Sequence, residues 1–291
     1  MKISPEEAKT ILLRAGVDIR SIEVPASGST RSVFSCDVGG RNVYVTLLRP
    51  QDSEILYFLH RNIGLQSLVP LAEIVTGGHD EQSKYSYLIQ KSVAGQNLQA
   101  AGNMEISMLD VGRQLRKIHS LELPGFGKIK RDKTGKFRGS EDSWADFLRW
   151  VASAEKIGYL FENGVLNDEQ RQQIVNTVDE LSDTSPKCGV LLHRDYNRGN
   201  ICSVQGKVTG IIDWEKAAVG VAEYDLALSK ISFQPYFPKL LTGYGSDVNL
   251  GWVDKYGLIF ATHLVFEALT KRPEKLPRAK NALEKGLIRV L

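Results

Sequence analysis

The stretch that decides the fold is Leu191-Leu-His-Arg-Asp-Tyr-Asn-Arg-Gly-Asn200, which is followed by Gly210-Ile-Ile-Asp-Trp-Glu215. Polar residues stand here where burial would otherwise be expected. The pattern H-x-D-x-x-x-x-N places the carboxylate of Asp195 and the amide of Asn200 at the two ends of one tight loop. A hairpin after that loop then returns the carboxylate of Asp213 to the same point.

This set of side chains matches what phosphoryl transfer from a nucleotide requires. One carboxylate must orient and deprotonate the accepting hydroxyl, and two oxygen-bearing ligands must hold Mg²⁺ against the phosphates. Asp195, Asn200 and Asp213 supply that set. Taken alone, the segment from Asp195 to Asn200 also suits an ordinary loop, because Asp, Asn and Gly are the commonest turn residues.

The two segments together resemble the aminoglycoside phosphotransferase family, kinase-fold enzymes that phosphorylate hydroxyls of small molecules. Ala217-Ala-Val-Gly220 and Glu223-Tyr-Asp-Leu-Ala227 are similar to the family's segment after the metal-binding aspartate, and they differ from the D-F-G and A-P-E motifs of protein kinases. Ser27 to Val33 resembles the family's phosphate loop, and Arg113 to His119 resembles the helix that ends in an Ile-His pair. The resemblance therefore runs through both parts of the chain.

The resemblance implies a role for each residue of the catalytic stretch. Asp195 is expected to be the catalytic base, and Asn200 and Asp213 are expected to be the Mg²⁺ ligands. His193 is expected to organise the loop by bonding backbone rather than substrate. Asp225 is expected to brace or cap the catalytic loop.

The co-substrate implied by the resemblance is ATP or GTP. Its base is expected to bond the backbone from Gln90 to Ser92, a hinge that follows a strand, with apolar walls such as Val45 and Ile212. The phosphates are expected near Ser29 or Thr30, because the loop has few glycines and the hydroxyls would supplement the backbone.

Cations close to the phosphates are harder to place from the sequence. Arg194 or Arg198 is expected to add positive charge, and the family also carries a Lys or Arg on its third strand. In Val43-Tyr-Val-Thr-Leu-Leu-Arg49 that position falls on Leu47. A register shifted by two residues keeps the same strand face and brings Arg49 there, with Glu54 on the next helix as its partner. We favour Arg49.

Periodicity predicts a β-rich first part and a mostly helical second part of the chain. The resemblance implies that these form an α+β, two-lobed, protein-kinase-like fold, in which a small β-rich lobe over residues 1–91 binds nucleotide and a larger, mostly helical lobe over residues 92–291 carries the catalytic loop and binds the acceptor. The individual elements are strands at 33–38, 42–48, 72–76 and 85–90, a helix at 53–61, helices around 108–118, 144–151 and 174–181, and a β-rich island at 190–212.

Composition excludes several other classes of protein. The net charge of +3 is far from the basic excess of a dedicated nucleic-acid binder, and the basic segment Lys128 to Arg138 is expected to be a solvated loop. Three scattered cysteines without C-x-x-C spacing predict neither disulfides nor zinc and favour a reducing cytoplasm. No secretory signal and no membrane partner are expected.

The function predicted from these observations is transfer of a nucleotide γ-phosphate to a hydroxyl of a small molecule, an aminoglycoside or a related sugar or amino alcohol. Glu215, Glu223, Asp254 and Glu267 are candidate carboxylates for a cationic acceptor. The competing hypothesis is a nucleotide-binding protein with little or no transfer activity, which an apolar residue at the strand cation position would explain. Oligomeric state is left open.

Overall fold

The computed structural model describes residues 3–25, 33–183, 186, 188–245 and 248–290. It has a β-rich amino-terminal lobe and a larger lobe in which most helices are found, as the periodicity predicted. Ser29 and Thr30, which are expected near the phosphates, lie outside the described residues.

The first lobe is a twisted antiparallel sheet with helices on both sides. Within the described residues, the strands lie in the order β1-β2-β3-β5-β4, and each neighbour pair is antiparallel. The elements are β1 Ile19–Glu23, β2 Val33–Val38, β3 Arg41–Leu48, β4 Ile74–Asp80, β5 Tyr85–Lys91, and helices α1 Pro5–Arg14, α2 Pro50–Tyr57 and α3 Leu65–Leu68.

Helix α1 covers one face of this sheet. Ser4 caps it, because its Oγ accepts a hydrogen bond from the Glu7 amide at 3.1 Å, and proline occupies the first turn. Its apolar residues Ile11 and Leu12 pack against Val45 and Leu47 of β3 in one buried cluster. The odd-numbered residues of this part of β3 therefore face α1 and point away from the second lobe.

The opposite face of the sheet joins the core of the second lobe. Leu48 of β3 and Leu88 of β5 belong to a continuous cluster that includes Ile211 and Trp214 of the catalytic region. Helix α2 packs on this side and also contacts the turn that follows Asp213. The predicted helix at 53–61 thus begins earlier, at Pro50, and passes at Phe58 into a short π-helical turn.

The second lobe combines helices with two more sheets. In the described part of the chain, one sheet has the order β7-β10-β13-β8-β9 and the other the order β12-β11-β6. The elements are β6 Gln96–Asn97, α4 Met108–Ile118, β7 Glu122–Leu123, β8 Phe126–Arg131, β9 Phe137–Glu141, α5 Trp144–Val151, α6 Ala154–Glu162, α7 Asp168–Asp183, β10 Gly189–Leu192, β11 Ile201–Val204, β12 Lys207–Ile211, β13 Ala218–Gly220, α8 Ala222–Ser232, α9 Phe237–Tyr244, α10 Leu250–Lys271 and α11 Leu276–Val290.

The basic segment Lys128 to Arg138 is not the loop that charge clustering predicted. Most of it forms the β8–β9 hairpin, whose turn at 132–136 is held by Asp132 through bonds from the Thr134 and Lys136 amides. The sequence signal failed because β8 has charged residues on its exposed positions and only Phe126 and Ile129 as buried apolar anchors.

The two lobes are joined between β5 and β6. The chain leaves the first sheet at Lys91 and enters the second lobe at Gln96, where β6 pairs with β11. A second contact crosses the lobes at Leu71, which forms a parallel bridge to Ile211. None of the helices in the described residues is long and apolar enough to cross a membrane.

Candidate active site

The loop that follows β10 is held in place by a buried carboxylate. Asp225 Oδ2 accepts a hydrogen bond from the His193 amide at 2.7 Å, and Oδ1 accepts one from the Arg194 amide at 2.9 Å. Arg194 has φ +59°, an uncommon left-handed conformation for a non-glycine residue, and this turn presents both amides to one side chain. Asp225 is the brace that the resemblance implied.

His193 connects this loop to the end of β12. Its Nδ1 accepts a hydrogen bond from the Asp195 amide at 3.2 Å, so Nε2 carries the proton that is donated to the Ile212 carbonyl at 3.1 Å. Burial lowers the pKa of this imidazole, which is the direction that a neutral ring requires. His193 therefore bonds backbone and organises the loop, as expected.

Asp195 lies at the surface of the loop with its carboxylate oriented from two sides. Oδ1 accepts a hydrogen bond from Asn197 Nδ2 at 3.0 Å, and Oδ2 accepts one from Lys216 Nζ at 2.8 Å. The carboxylate remains 25% exposed, so it is accessible from the solvent side. Sequence reasoning missed Lys216, whose only signal was its place one helical turn after Asp213.

Asn200 and Asp213 meet at one end of the β11–β12 hairpin. The ladder pairs Ile201 with Ile211, and the next backbone bond runs from the Ile212 amide to the Asn200 carbonyl at 3.0 Å. Asn200 Nδ2 donates to the Asp195 carbonyl at 2.9 Å. Because this bond uses the amide nitrogen, the Asn200 Oδ1 is the atom left to ligate a cation.

Asp213 has a backbone conformation that suits a ligand position. Its φ is +64°, and it precedes the short 3₁₀ turn Trp214–Lys216 without capping that turn through its side chain. The carboxylate and the Asn200 amide oxygen are hard donors of the kind that Mg²⁺ prefers. In the described residues no cluster of three or more His, Cys, Asp or Glu side chains suggests a zinc-type site. The donor set present fits magnesium.

The expected nucleotide residues lie along the strand and hinge between the lobes. Gln90 is in β5, opposite Tyr44 of β3 and Ile74 of β4, and Ser92 is exposed just beyond the strand. Ile212 is half-buried next to Asp213. The expectation for Val45 was wrong, because its side chain packs in the cluster with α1.

Neither alternative for the strand cation is supported by the contacts. Leu47 is buried on the α1 side of β3, and Arg49 lies beyond the strand as the residue before α2. Arg49 is 69% exposed and binds Asp52 through two hydrogen bonds of 2.8 and 3.1 Å. The expected Arg49–Glu54 pair is absent, since Glu54 accepts a bond from Arg131 Nε at 2.9 Å.

Of the two loop arginines, Arg194 turns toward aromatic side chains. Its guanidinium lies 4.9 Å from the ring centre of Phe147 and 5.9 Å from that of Tyr224. Arg198 forms hydrogen bonds through its backbone: its amide donates to Ser232 Oγ, and its carbonyl accepts from the Gln99 amide. Among the residues that the structure describes, the cation in contact with the Asp195 carboxylate is thus Lys216 rather than Arg194.

Comparison with known proteins finds a curated relative of this chain. One curated relative, hygromycin-B 4-O-kinase of Escherichia coli, is 25% identical over an alignment that covers 69% of this chain and 59% of the relative. The alignment thus spans about three fifths of that relative's own length.

Solved structures show the same fold. The crystal structure of a thermostable mutant of aminoglycoside phosphotransferase APH(4)-Ia, a ternary complex with AMP-PNP and hygromycin B, has a TM-score of 0.74 at 17% identity and covers 98% of this chain and 99% of its own. A putative fructosamine-3-kinase from Thermobifida fusca YX-ER1 has a TM-score of 0.66 at 16% identity, and the match covers 98% of this chain and 99% of that one.

The sequence model of the phosphotransferase enzyme family matches residues 21–252 of this chain. The chain belongs to the phosphotransferase enzyme family.

Proposed function

We propose that this protein transfers the terminal phosphoryl group of ATP or GTP to a hydroxyl of a small molecule, an aminoglycoside or a related sugar or amino alcohol. The observation that carries the proposal is the convergence of Asp195, Asn200 and Asp213 around one loop and one hairpin end. Residues 1–91 act as the nucleotide lobe, and residues 92–291 act as the catalytic and acceptor lobe.

Asp195 receives the proton in this proposal. The acceptor hydroxyl oxygen attacks the terminal phosphorus, the bond from that phosphorus to the β–γ bridging oxygen breaks, and the nucleoside diphosphate leaves. The hydroxyl proton passes to the Asp195 carboxylate. Asn197 Nδ2 holds one oxygen of that carboxylate in a fixed orientation, and Lys216 Nζ contacts the other oxygen when no acceptor is bound, so the chain pre-organises the base rather than changing the chemistry.

Asn200 and Asp213 would hold the magnesium ion. When bound, the ion neutralises charge on the phosphates during transfer. The two residues are fixed relative to Asp195 by the Asn200 bond to the Asp195 carbonyl and by the β11–β12 ladder. The nucleotide base binds at the hinge near Gln90 and Ser92, with Ile212 beneath it.

The choice of acceptors to test depends on the curated relative and on the ion pairs of the candidate carboxylates. Hygromycin B is the natural first acceptor to test, because the curated relative is a hygromycin-B 4-O-kinase. Two candidate carboxylates are engaged within the protein: Asp254 binds Lys230 at 2.6 Å, and Glu267 lies 3.6 Å from Lys271. A cationic acceptor would therefore have to compete with these lysines, so neutral sugars and amino alcohols belong in the same panel.

A second candidate function is nucleotide binding without transfer. It is favoured by one observation: the part of β3 from Val43 to Leu48 includes no Lys or Arg. The retained base and metal ligands favour the kinase instead.

The test is nucleotide consumption with Mg²⁺ and either ATP or GTP against hygromycin B, other aminoglycosides, sugars and amino alcohols. Asp195→Asn should abolish acceptor-dependent turnover and leave nucleotide binding intact. Asp142→Asn is the matched control, because its carboxylate is 91% exposed. Equal turnover in the Asp195→Asn and unmodified proteins would exclude Asp195 as the base. Nucleotide binding with no phosphorylated acceptor would favour the second candidate.

A further inference from the structure

The charge that accumulates during phosphoryl transfer needs cations close to the transferring group. On the face of β3 that looks toward the second lobe, the described residues Thr46 and Leu48 carry no charge. Arg49 is committed to Asp52, and Arg131 is the partner of Glu54. The side-chain contacts of the catalytic loop show a different cation beside the base.

That cation is Lys216. Its Nζ donates to Asp195 Oδ2 at 2.8 Å, although the two residues are 21 positions apart in the chain. Its backbone ends the 3₁₀ turn that begins after Asp213, closed by the Ala217 amide bond to the Trp214 carbonyl at 2.9 Å. Lys216 therefore stands one helical turn from a proposed metal ligand and in contact with the proposed base.

The backbone of Lys216 is held rigidly, whereas its ammonium group is free to move. Immediately after it, β13 is paired on both sides, with β10 and with β8. Before it, Trp214 is buried, donates to the Ile211 carbonyl at 3.0 Å and lies 4.5 Å from the His193 ring. The Lys216 side chain itself is 50% exposed, and an ion pair this exposed is weak and exchanges easily.

The transferring phosphoryl group lies within reach of the Lys216 ammonium. The acceptor hydroxyl must lie about 2.6–3.2 Å from an Asp195 oxygen, and the phosphorus about 3–3.5 Å beyond that hydroxyl. The phosphoryl oxygens therefore lie roughly 6 Å from the Asp195 carboxylate. The Lys216 ammonium already contacts Asp195 Oδ2, and rotation about its flexible four-carbon side chain allows it to move over a distance of this size.

We propose that Lys216 is a catalytic residue that exchanges its contact with Asp195 Oδ2 for a contact with an oxygen of the transferring phosphoryl group. The acceptor hydroxyl then takes the place of the ammonium at Oδ2 and delivers its proton there. Lys216 keeps its own proton throughout and supplies positive charge from the metal-ligand turn instead of from β3. This inference rests on the proposed function.

The first experiment compares Lys216→Met, Lys216→Arg and Lys239→Met. Methionine removes the charge and keeps the length, whereas arginine keeps the charge. Lys239 is the matched control, because its Nζ also forms a partly exposed ion pair, 3.2 Å from Glu105. We expect Lys216→Met to lower kcat by about 100-fold with a nucleotide KM within about threefold of the unmodified value, as for loss of one transition-state donor. Lys216→Arg should recover a substantial part of kcat.

The second experiment needs no acceptor. The nucleoside diphosphate with aluminium fluoride and Mg²⁺ presents a planar mimic of the transferring phosphoryl, and its affinity is compared with that of the diphosphate alone. Lys216→Met should weaken the fluoride complex by about 100-fold and leave the diphosphate affinity unchanged. Lys239→Met should alter neither.

Each outcome decides the proposal. Unchanged affinity for the fluoride complex in Lys216→Met would overturn the phosphoryl contact, and a fall in kcat alone would then assign Lys216 only to positioning Asp195. If Lys216→Met does not fold, as judged by thermal unfolding, Lys216→Arg and Lys216→Gln take its place in the same measurements. If no acceptor is ever phosphorylated, the proposed function fails. The affinity for the fluoride complex still tests the contact between Lys216 and the phosphoryl mimic independently.

Discussion

The carboxylate of Asp225 binds the backbone of His193 across 32 positions of the chain. Its Oδ2 accepts the His193 amide at 2.7 Å, and the same oxygen lies 3.4 Å from His119 Nε2 on the other side. His119 in turn bonds the Tyr244 hydroxyl through Nδ1 at 2.9 Å. The loop after β10 is therefore fixed by α8 and by the ends of α4 and α9, through the buried side chains of Asp225, His119 and Tyr244.

Asp225→Ala should destabilise the protein strongly. It leaves the amides of His193 and Arg194 buried without an acceptor, so we expect a loss of about 3 kcal/mol in the free energy of unfolding. Denaturant titration measures this loss. Asp142→Ala, at an exposed position, should change the same quantity by less than about 0.5 kcal/mol. A similar small change in Asp225→Ala would show that the loop does not depend on this brace.

Asp213→Asn should change the magnesium requirement of turnover. We expect the Mg²⁺ concentration for half-maximal activity to rise about tenfold or more, because one anionic ligand is replaced by a neutral amide. Activity is followed over a Mg²⁺ titration, and a chelator should remove it from the unmodified protein. An unaltered titration curve, with the melting temperature also unaltered, would exclude Asp213 as a ligand.

Arg49→Ala should have little effect on nucleotide use. Its guanidinium is largely exposed and paired with Asp52, so we expect the nucleotide KM to change by less than about twofold. Steady-state kinetics with varied nucleotide measures this. A tenfold rise in KM would mean that Arg49 leaves Asp52 to bind phosphate and would restore the role predicted from the sequence.

His60 should make stability depend on pH in the acidic range. Burial, followed by the nearby Arg61, lowers the pKa of His60 from 6.5 to about 4. Between these values the unfolded chain binds a proton that the folded protein does not, so stability is complete above about pH 6.5 and falls as the pH decreases toward 4. The contribution of this one imidazole is about 3 kcal/mol.

The check is the free energy of unfolding measured at several pH values between 7.5 and 4.5 for the unmodified protein and for His60→Leu. The variant should show a shallower decrease below about pH 6.5, because one proton uptake by the unfolded chain is removed. Above about pH 7.5 the difference between the two proteins should be constant. Parallel curves over the whole range would contradict the burial effect on His60.

Sequence reasoning succeeded where chemistry and short spacing act together. Three residues within one loop and one hairpin have few possible arrangements. The Asn200 bond to the Asp195 carbonyl and the β11–β12 ladder bring Asp195, Asn200 and Asp213 to the same end of that hairpin, as their spacing predicted. The prediction of a cation on β3 was not supported, for the opposite reason. A strand alternates faces with a period of two, and the packing of α1 on Val45 and Leu47 decides which face looks inward.

The sequence by itself determined the lobe order, the phosphotransferase family and the loop that carries Asp195 and Asn200, because these depend on local hydrogen bonding and on spacings of a few residues. Tertiary structure alone decided that Lys216 contacts Asp195, that Arg131 is the partner of Glu54 and that Arg194 lies against Phe147. Lysines and arginines are common on every surface, and their partners are chosen by the packing of elements that are distant in the chain.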